Sequence, residues 1–239
     1  MRPPAKVMMS TTDRRAALVD AAIDVIATQG IRALTHRALD TALELPAGSA
    51  SYYFRTKRAL IEAIADRITT RSRDDFAAAE LATPPSLEPD DIAKAIAGWL
   101  DRLLVERRNH LIVRHALIID LLGDPELHQR LTHSLFSTER ARELFQTLGF
   151  PDPDAAAADF IAVVEGAVFD RFAGARAHVP AGTRDSVDQL MAMLSRQLTR
   201  RPWVTTPSPL AVGRTHPEPG AVPPVTPRPR ANFAQPNSR

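Results

Sequence analysis

One short segment of the chain carries small, hydroxyl-bearing and basic residues in close succession, in the run PAGSASYYFRTKR at 46–58. Gly48 and Ser49 add little bulk, so the backbone there can approach a groove or a phosphate closely. The hydroxyl and basic side chains are Ser49, Ser51, Tyr52, Tyr53, Arg55, Lys57 and Arg58. Hydroxyl groups bind base edges and phosphates, and cations bind phosphates. The segment therefore has the composition of a nucleic-acid recognition element.

The surrounding sequence predicts a helix-turn-helix that positions this segment. Thr35 is a good N-cap for a helix that reaches about Leu43, and a turn at 44–46 leads to a very short helix over 47–54. Thr56 caps the long helix that follows. The first turn of that helix presents free backbone N–H groups to an anion.

Helical periodicity also dominates the rest of the chain, so we expect an all-α fold of about nine helices. The other expected helices cover about 13–29 (capped by Thr11 or Thr12), 57–81, a stretch opened by Pro89, 111–122, 126–148, 155–173 and 183–199. The helix over 111–122 is apolar almost all round, so we expect it to be central. Ten of the residues from 202 onward are proline, without an apolar period, which predicts a disordered tail over 203–239.

Composition narrows the class of protein further. The absence of cysteine excludes disulfides and thiolate metal sites. Residues 1–70 carry ten Lys/Arg against seven Asp/Glu, whereas residues 71–201 carry sixteen against twenty. A basic N-terminal part suits a polyanionic partner. No apolar run reaches the roughly 18–20 residues of a membrane span, and the first ten residues lack a secretory signal. We therefore expect a cytoplasmic protein without a membrane partner.

The chain lacks the common catalytic motifs. It has no Gly-rich phosphate loop, no G-x-S-x-G, no H-E-x-x-H and no repeated E-x-x-H pairs. We therefore expect no catalytic residues, no metal site and no cofactor.

Residues from about Arg14 to Ile64 resemble the DNA-binding domain of the TetR family of transcriptional regulators. The matching features are the first helix ending in Gly30, Leu34-Thr35, the pair Arg37 and Leu39, Gly48-Ser49, Tyr53, the anchor Phe54, and the run Thr56-Lys57-x-Ala59-Leu60. Two positions depart from the usual pattern. Glu44 stands in the turn where the family often has Gly, and Ser51 stands where it often has Tyr.

The resemblance implies a two-part dimer. Its parts would be a flexible arm (1–10), a helix-turn-helix domain with three helices (11–56), a helical ligand-binding and dimerisation domain (57–202) and the tail (203–239). In the family the last two long helices, here 155–173 and 183–199, form a four-helix bundle between subunits. The first of them has an apolar band that is too broad for one intramolecular face: Phe160, Ile161, Val163, Val164, Ala167, Val168 and Phe172.

Residue by residue, the resemblance also implies the DNA contacts. Positions that match phosphate-contacting residues are Thr35, Tyr53 and Lys57. Positions that match the groove-facing part of the recognition helix are Ala47, Gly48, Ser49 and Tyr52. Each has a simpler structural explanation by itself, since Thr35 can act only as a cap and Tyr53 can act only in packing. As a set they favour DNA binding.

Family members enclose an effector among the helices that follow the DNA-binding domain. Polar residues that interrupt apolar helices, and aromatic residues that can form walls, are therefore candidate ligand contacts: Trp99, Arg114, His115, Glu165 and Phe169. A buried salt bridge or a satisfied core histidine is the alternative role for each polar residue.

These features predict a sequence-specific regulator that binds double-stranded DNA as a homodimer on a near-palindromic operator. The resemblance further implies a repressor that is released by a small-molecule effector. The alternative is a helical protein-interaction adaptor whose helix-turn-helix does not read DNA.

Overall fold

Ten α-helices, one short 3₁₀ helix and no strand make up residues 10–79 and 86–199, the part of the chain that the computed structural model describes. In chain order they are α1 (Thr11–Gln29), the 3₁₀ helix (Ile31–Ala33), α2 (His36–Ala42), α3 (Ser49–Tyr53), α4 (Lys57–Ala78), α5 (Pro89–Glu106), α6 (Arg108–Asp120), α7 (Pro125–Thr132), α8 (Thr138–Thr147), α9 (Pro153–Ala173) and α10 (Arg184–Leu198). The predicted all-α class is confirmed. The predicted tail, and nearly all of the predicted N-terminal arm, lie outside the described residues.

Side-chain caps begin several of these helices. The hydroxyls of Thr35 and Thr56 accept hydrogen bonds from backbone N–H groups in the first turns of α2 and α4, as predicted. The cap of α1 is Ser10 and not Thr11 or Thr12. Its hydroxyl and the Asp13 carboxylate form a reciprocal capping box, which satisfies two backbone donors and fixes the first residue of the helix.

The predicted single helix over 126–148 is wrong, because α7 ends at Thr132 and α8 begins at Thr138. The main-chain carbonyls at the end of α7, those of Leu131 and Thr132, accept hydrogen bonds from the buried guanidinium of Arg114. Ser137 then caps α8 by accepting from the backbone N–H of Arg140. A side-chain donor and a new cap thus replace the helical hydrogen bonds across the break.

Two hydrophobic clusters organise the described part of the chain. The first joins α1, α2, α3 and α4 to the inner faces of α6 and α7, through residues such as Leu18, Phe54 and Leu117. The second joins α5, α8, α9 and α10 around Trp99 and Phe160. The first cluster therefore contains residues from both sides of the domain boundary predicted after residue 56, and that boundary stays a prediction.

Helix α6 contributes buried side chains to both clusters, with Leu111 in the second and Val113 and Leu117 in the first. Val113 and Leu117 are fully buried against the first cluster, as expected for a central helix. Ile119 near the end of α6 and Leu122 in the turn after it are 67% and 70% exposed. Within the described residues, no helix combines the length and apolar character that a membrane crossing requires.

Candidate nucleic-acid interface

The recognition helix α3 is held in place by a buried carboxylate. Asp40, on α2, is 5% exposed and accepts hydrogen bonds from the backbone N–H groups of Gly48 (2.8 Å) and Ala50 (2.7 Å). These are orphan donors at the N-terminus of α3, where a negative charge is favourable. Sequence reasoning missed Asp40, although an acidic residue shortly before a Gly-Ser helix start is a usable signal for such an anchor.

The turn before α3 uses two residues with positive φ. Glu44 has φ 51°, which explains why glycine is common at this position in the resembling family. Gly48 has φ 90° and lies in the left-handed region immediately before α3. A side chain at Gly48 would be strained, so glycine here is a backbone requirement as well as a means of close approach.

The surface of α3 presents one large side chain to solvent. Tyr52 is 77% exposed and packs edge-on against Tyr53, with 5.3 Å between the ring centroids. The hydroxyls of Ser49 and Ser51 donate to the carbonyl oxygens of Pro46 (2.6 Å) and Gly48 (2.7 Å). The two serine protons are therefore engaged within the turn, while Tyr52 projects outward.

The C-terminal end of α3 is fastened to α1. Arg15 donates a hydrogen bond to the carbonyl of Tyr53 at 3.1 Å, and its guanidinium lies 4.2 Å from the centroid of the buried Phe54 ring. Both ends of this five-residue helix are thus fixed by side chains from other helices. A helix this short is not stable by itself in water, so these contacts determine its geometry.

The predicted phosphate contacts lie at helix starts or at the end of α3. Thr35 and Lys57 are exposed, and Thr35 also caps α2 as the simpler explanation requires. Tyr53 is half-buried, and it packs against the first cluster. Arg58, next to Lys57, is engaged in ion pairs with Glu62 at 2.8 Å and with Asp124.

Ion pairs connect α4 to the helices behind it. Arg58 of α4 pairs with Asp124 at the start of α7, and Asp66 of α4 pairs with Arg130 near the end of α7. Both ends of α7 are therefore linked to α4, the helix that follows α3 after three intervening residues.

Four of the five predicted ligand-contacting residues meet at α6 and α9. Arg114 is 1% exposed and donates to both carboxylate oxygens of Glu165 at 2.6 Å, to Ser134 and to the carbonyls at the end of α7. His115 Nε2 lies 3.4 Å from Glu165, and the ring centroids of His115 and Phe169 are 5.7 Å apart. Burial raises the pKa of Glu165, but the nearby His115 and the charge of Arg114 outweigh this, so the pKa stays below its usual value.

Trp99 contacts a different group of side chains. It is 1% exposed, and its ring centroid lies 5.7 Å from that of Phe76 and 5.9 Å from that of Phe136. Its indole N–H has no acceptor among the described residues. Trp99 thus lies in an aromatic part of the second cluster, and Arg114, His115, Glu165 and Phe169 form a separate group.

The side of α9 that is open to a partner is not the side that the sequence predicted. Phe160 and Val164 are fully buried in the core of their own chain, so they do not form a free dimer face. The exposed side of α9 is instead a row of small residues that ends at a half-exposed Phe169: Ala155, Ala158, Ala162, Gly166 and Phe169. Periodicity shows that a helix is broadly apolar, but does not show which side its own chain covers.

Two family descriptions match the chain. Residues 18–64 match bacterial regulatory proteins of the tetR family, and residues 87–197 match a tetracyclin repressor-like C-terminal domain. Together the two segments cover about two thirds of the chain. No curated protein sequence proved similar to the chain.

Several solved structures share this fold. A TetR family member from Streptomyces coelicolor A3 is 22% identical, with a TM-score of 0.58 over 76% of this chain and 98% of that one. A transcriptional regulator from Rhodococcus sp. Rha1 is 19% identical, with a TM-score of 0.62 over 77% and 93%. The multidrug binding protein EbrR, complexed with imidazole, is 22% identical, with a TM-score of 0.53 over 76% and 94%. At these identities the likeness concerns the fold.

Proposed function

Because the chain belongs to the TetR family of transcriptional regulators, we propose that it binds a near-palindromic operator as a homodimer and represses transcription until a small molecule releases it. Operator DNA lies in the cytoplasm, which is where this proposal places the protein.

The anchored recognition helix is the observation that carries the proposal. Asp40 and Arg15 fix the two ends of α3, and Tyr52 projects from it with 77% of its surface exposed. A rigid helix with an exposed hydrogen-bonding aromatic residue suits major-groove readout. In this proposal Tyr52, with Ala47, Gly48 and Ser49, faces the groove, while Lys57, Thr35 and Tyr53 contact phosphates.

The short length of the recognition helix α3 indicates that the protein acts as a dimer. One helix of five residues contacts too few base pairs for useful specificity, whereas two copies on a two-fold axis read two half-sites. The exposed row of small residues on α9 lets two helices approach closely, and this supports α9 as the centre of the interface.

An effector would act by binding the free dimer more tightly than the DNA-bound dimer, since only a difference in affinity shifts such an equilibrium. EbrR has been crystallised with imidazole, ethidium and malachite green, which supports a small-molecule site in the helical domain of this chain as well. Trp99, His115 and Phe169 are our candidates for direct contact. The donors of Arg114 are largely engaged, so Arg114 would position Glu165 instead.

Selection of bound sequences from a pool of random duplexes tests the proposal. We expect enrichment of two inverted half-sites whose centres are separated by about one helical turn, or a multiple of it. Enrichment of no sequence would refute DNA reading and favour the adaptor alternative.

The dimer is tested by Gly166→Arg, with Ala95→Arg as the matched control. A Cβ at the exposed Gly166 would meet no atom within 4 Å, so we expect the variant to fold as a single chain, and Ala95 lies exposed on α5. We expect Gly166→Arg to shift the sedimentation of the protein to that of a monomer and to lose tight operator binding. A wild-type monomer that binds one half-site with full affinity would refute the dimer.

A further inference from the structure

A small cavity lies between α4, α5 and α6, where α5 ends and α6 begins. Its walls are apolar at Ile68, Leu103 and Leu111, and polar side chains including Arg71 and His110 complete them. The cavity has a volume of about 10 Å³, which is room for one water-sized group. A molecule bound there must therefore be compact, or must reach in with one end only.

The charges around this cavity do not balance. Arg107 donates to both carboxylate oxygens of Asp75, at 2.9 and 3.0 Å, so these two charges compensate each other. Arg114 also lines the cavity, but it is paired with Glu165. Arg71 is half-buried and forms no ion pair within the part of the chain that the structure describes. Because a guanidinium that is partly removed from water normally has a partner, the cavity has one positive charge in excess.

His110 supplies a second donor at the same place. Its Nε2 is buried and has no hydrogen-bond partner among the described residues, which costs free energy unless a bound group supplies one. Burial lowers the pKa of His110. The carboxylate of Asp20 opposes this shift, and three guanidinium groups add to it, those of Arg107, Arg67 and Arg71. The imidazole therefore lies in a positive field that an anion would offset.

The start of α6 favours an anion as well. This helix of 13 residues begins at Arg108 without a side-chain cap, and His110 lies in its first turn. The free backbone N–H groups and the dipole of a helix make its N-terminus positive. The helix start, the excess charge of Arg71 and the buried donor of His110 thus coincide at one cavity.

We propose that this cavity is an anion site, which takes one compact negative group: the carboxylate end of a small organic acid, or a halide ion. Arg71 supplies the compensating charge, and Nε2–H of His110 supplies a hydrogen bond. The site is separate from the effector contacts proposed above, and it does not depend on them.

Trifluoroacetate is a suitable probe, because it stays ionised at every pH used and its fluorine resonance reports binding directly. The neutral trifluoroacetamide has nearly the same shape and serves as the ligand control. We expect trifluoroacetate to bind the full-length protein and trifluoroacetamide not to bind. Arg71→Gln should weaken this binding at least about tenfold, which corresponds to about 1.4 kcal/mol. Arg73→Gln removes the same charge from an exposed position of α4 and should leave binding unchanged.

A second measurement needs no substitution at Arg71. In protein labelled with ¹⁵N-histidine, trifluoroacetate should raise the pKa of His110 by about one pH unit, because a negative charge at hydrogen-bond distance favours the imidazolium. The resonance of His110 is assigned from its loss in His110→Gln. Competition with chloride then distinguishes the two sources of the anion: displacement by chloride assigns the site to any compact anion, and no displacement assigns it to carboxylates.

Three results would overturn the proposal. Equal binding by the wild type and Arg71→Gln would show that association does not involve this cavity. An unchanged pKa of His110 in the presence of bound trifluoroacetate would place the anion elsewhere. The absence of binding at any concentration that the protein tolerates would refute the site outright. No DNA is present in these measurements, so their failure leaves the proposed operator binding untouched.

Discussion

Removal of the Asp40 carboxylate should loosen the recognition helix. In Asp40→Ala two charge-assisted hydrogen bonds are lost, each worth about 1.5–3 kcal/mol. The N–H of the exposed Gly48 can bond to water instead, but the N–H of the fully buried Ala50 cannot. We therefore expect the free energy of unfolding to fall by about 3 kcal/mol, which a domain of ordinary stability survives. Asp40→Asn keeps one acceptor oxygen and should lose about half as much.

Urea unfolding followed by circular dichroism measures this loss, and fluorescence anisotropy measures operator binding by the folded fraction. We expect operator affinity to fall at least about tenfold in Asp40→Ala, because binding must reorder α3 at a cost of about 1.4 kcal/mol or more. Asp74→Ala, which removes the same charge from the exposed side of α4, is the control. Wild-type stability and affinity in Asp40→Ala would refute the role of the carboxylate as an anchor.

Further predictions concern the turn before α3, the DNA-contacting side chains and the pair of Arg114 with Glu165. Glu44→Gly should raise the free energy of unfolding by about 0.5–1 kcal/mol in urea melts, because it relieves a positive φ of 51°; a decrease would contradict this. In anisotropy titrations, Lys57→Ala should weaken binding equally on operator and random DNA and lower the salt slope by about one per subunit. Tyr52→Ala should instead reduce discrimination between operator variants by about 1–3 kcal/mol, and equal losses in both variants would show that their roles are misassigned. In urea melts Arg114→Ala should lower the free energy of unfolding by about 3–5 kcal/mol, because the partly buried Glu165 carboxylate loses the partner that binds both of its oxygens. Because the pKa of Glu165 is lower in the folded state, its stabilisation is present above its unfolded pKa and is lost as pH falls through the folded value. Glu165→Gln should remove this fall in the free energy of unfolding at low pH. If the difference in stability between this variant and the wild type does not change with pH, the assigned direction of the pKa shift is wrong.

Local signals made much of the helical framework predictable. Thr35 and Thr56 cap the helices that the sequence assigned to them, because capping depends on neighbouring residues only. The positive φ of Glu44 likewise agrees with the turn expected before α3. The all-α class followed from periodicity in the same way.

The parts that could not be predicted depend on contacts between distant residues. The break between α7 and α8 involves Arg114, which lies 17 and 18 residues before the carbonyls to which it donates. The buried Ser186 of α10 donates to Asp101 of α5, 85 residues away, and accepts from Arg171 of α9. The sequence identifies Arg114 as a polar residue within an apolar helix. Nothing in the sequence shows that its N–H donors bind Glu165, Ser134 and the carbonyls at the end of α7.

The two faces of α9 show the same limit. The sequence indicates Phe160 and Val164 as candidates for a dimer interface, but both side chains are fully buried within their own chain. The face that stays open consists mainly of alanine and glycine, which contribute little to a hydrophobic pattern. Small residues become informative only when the structure shows which side of the helix is uncovered.

The ratio of affinities for the selected operator and for a scrambled duplex of equal length, at one fixed salt concentration, tests the central claim most directly. A dimer that reads sequence through α3 should bind the operator about a thousandfold more tightly, or more. Affinities within about tenfold of each other, with the same steep dependence on salt, would mean that the chain binds only the phosphate backbone and would contradict its role as a sequence-specific regulator.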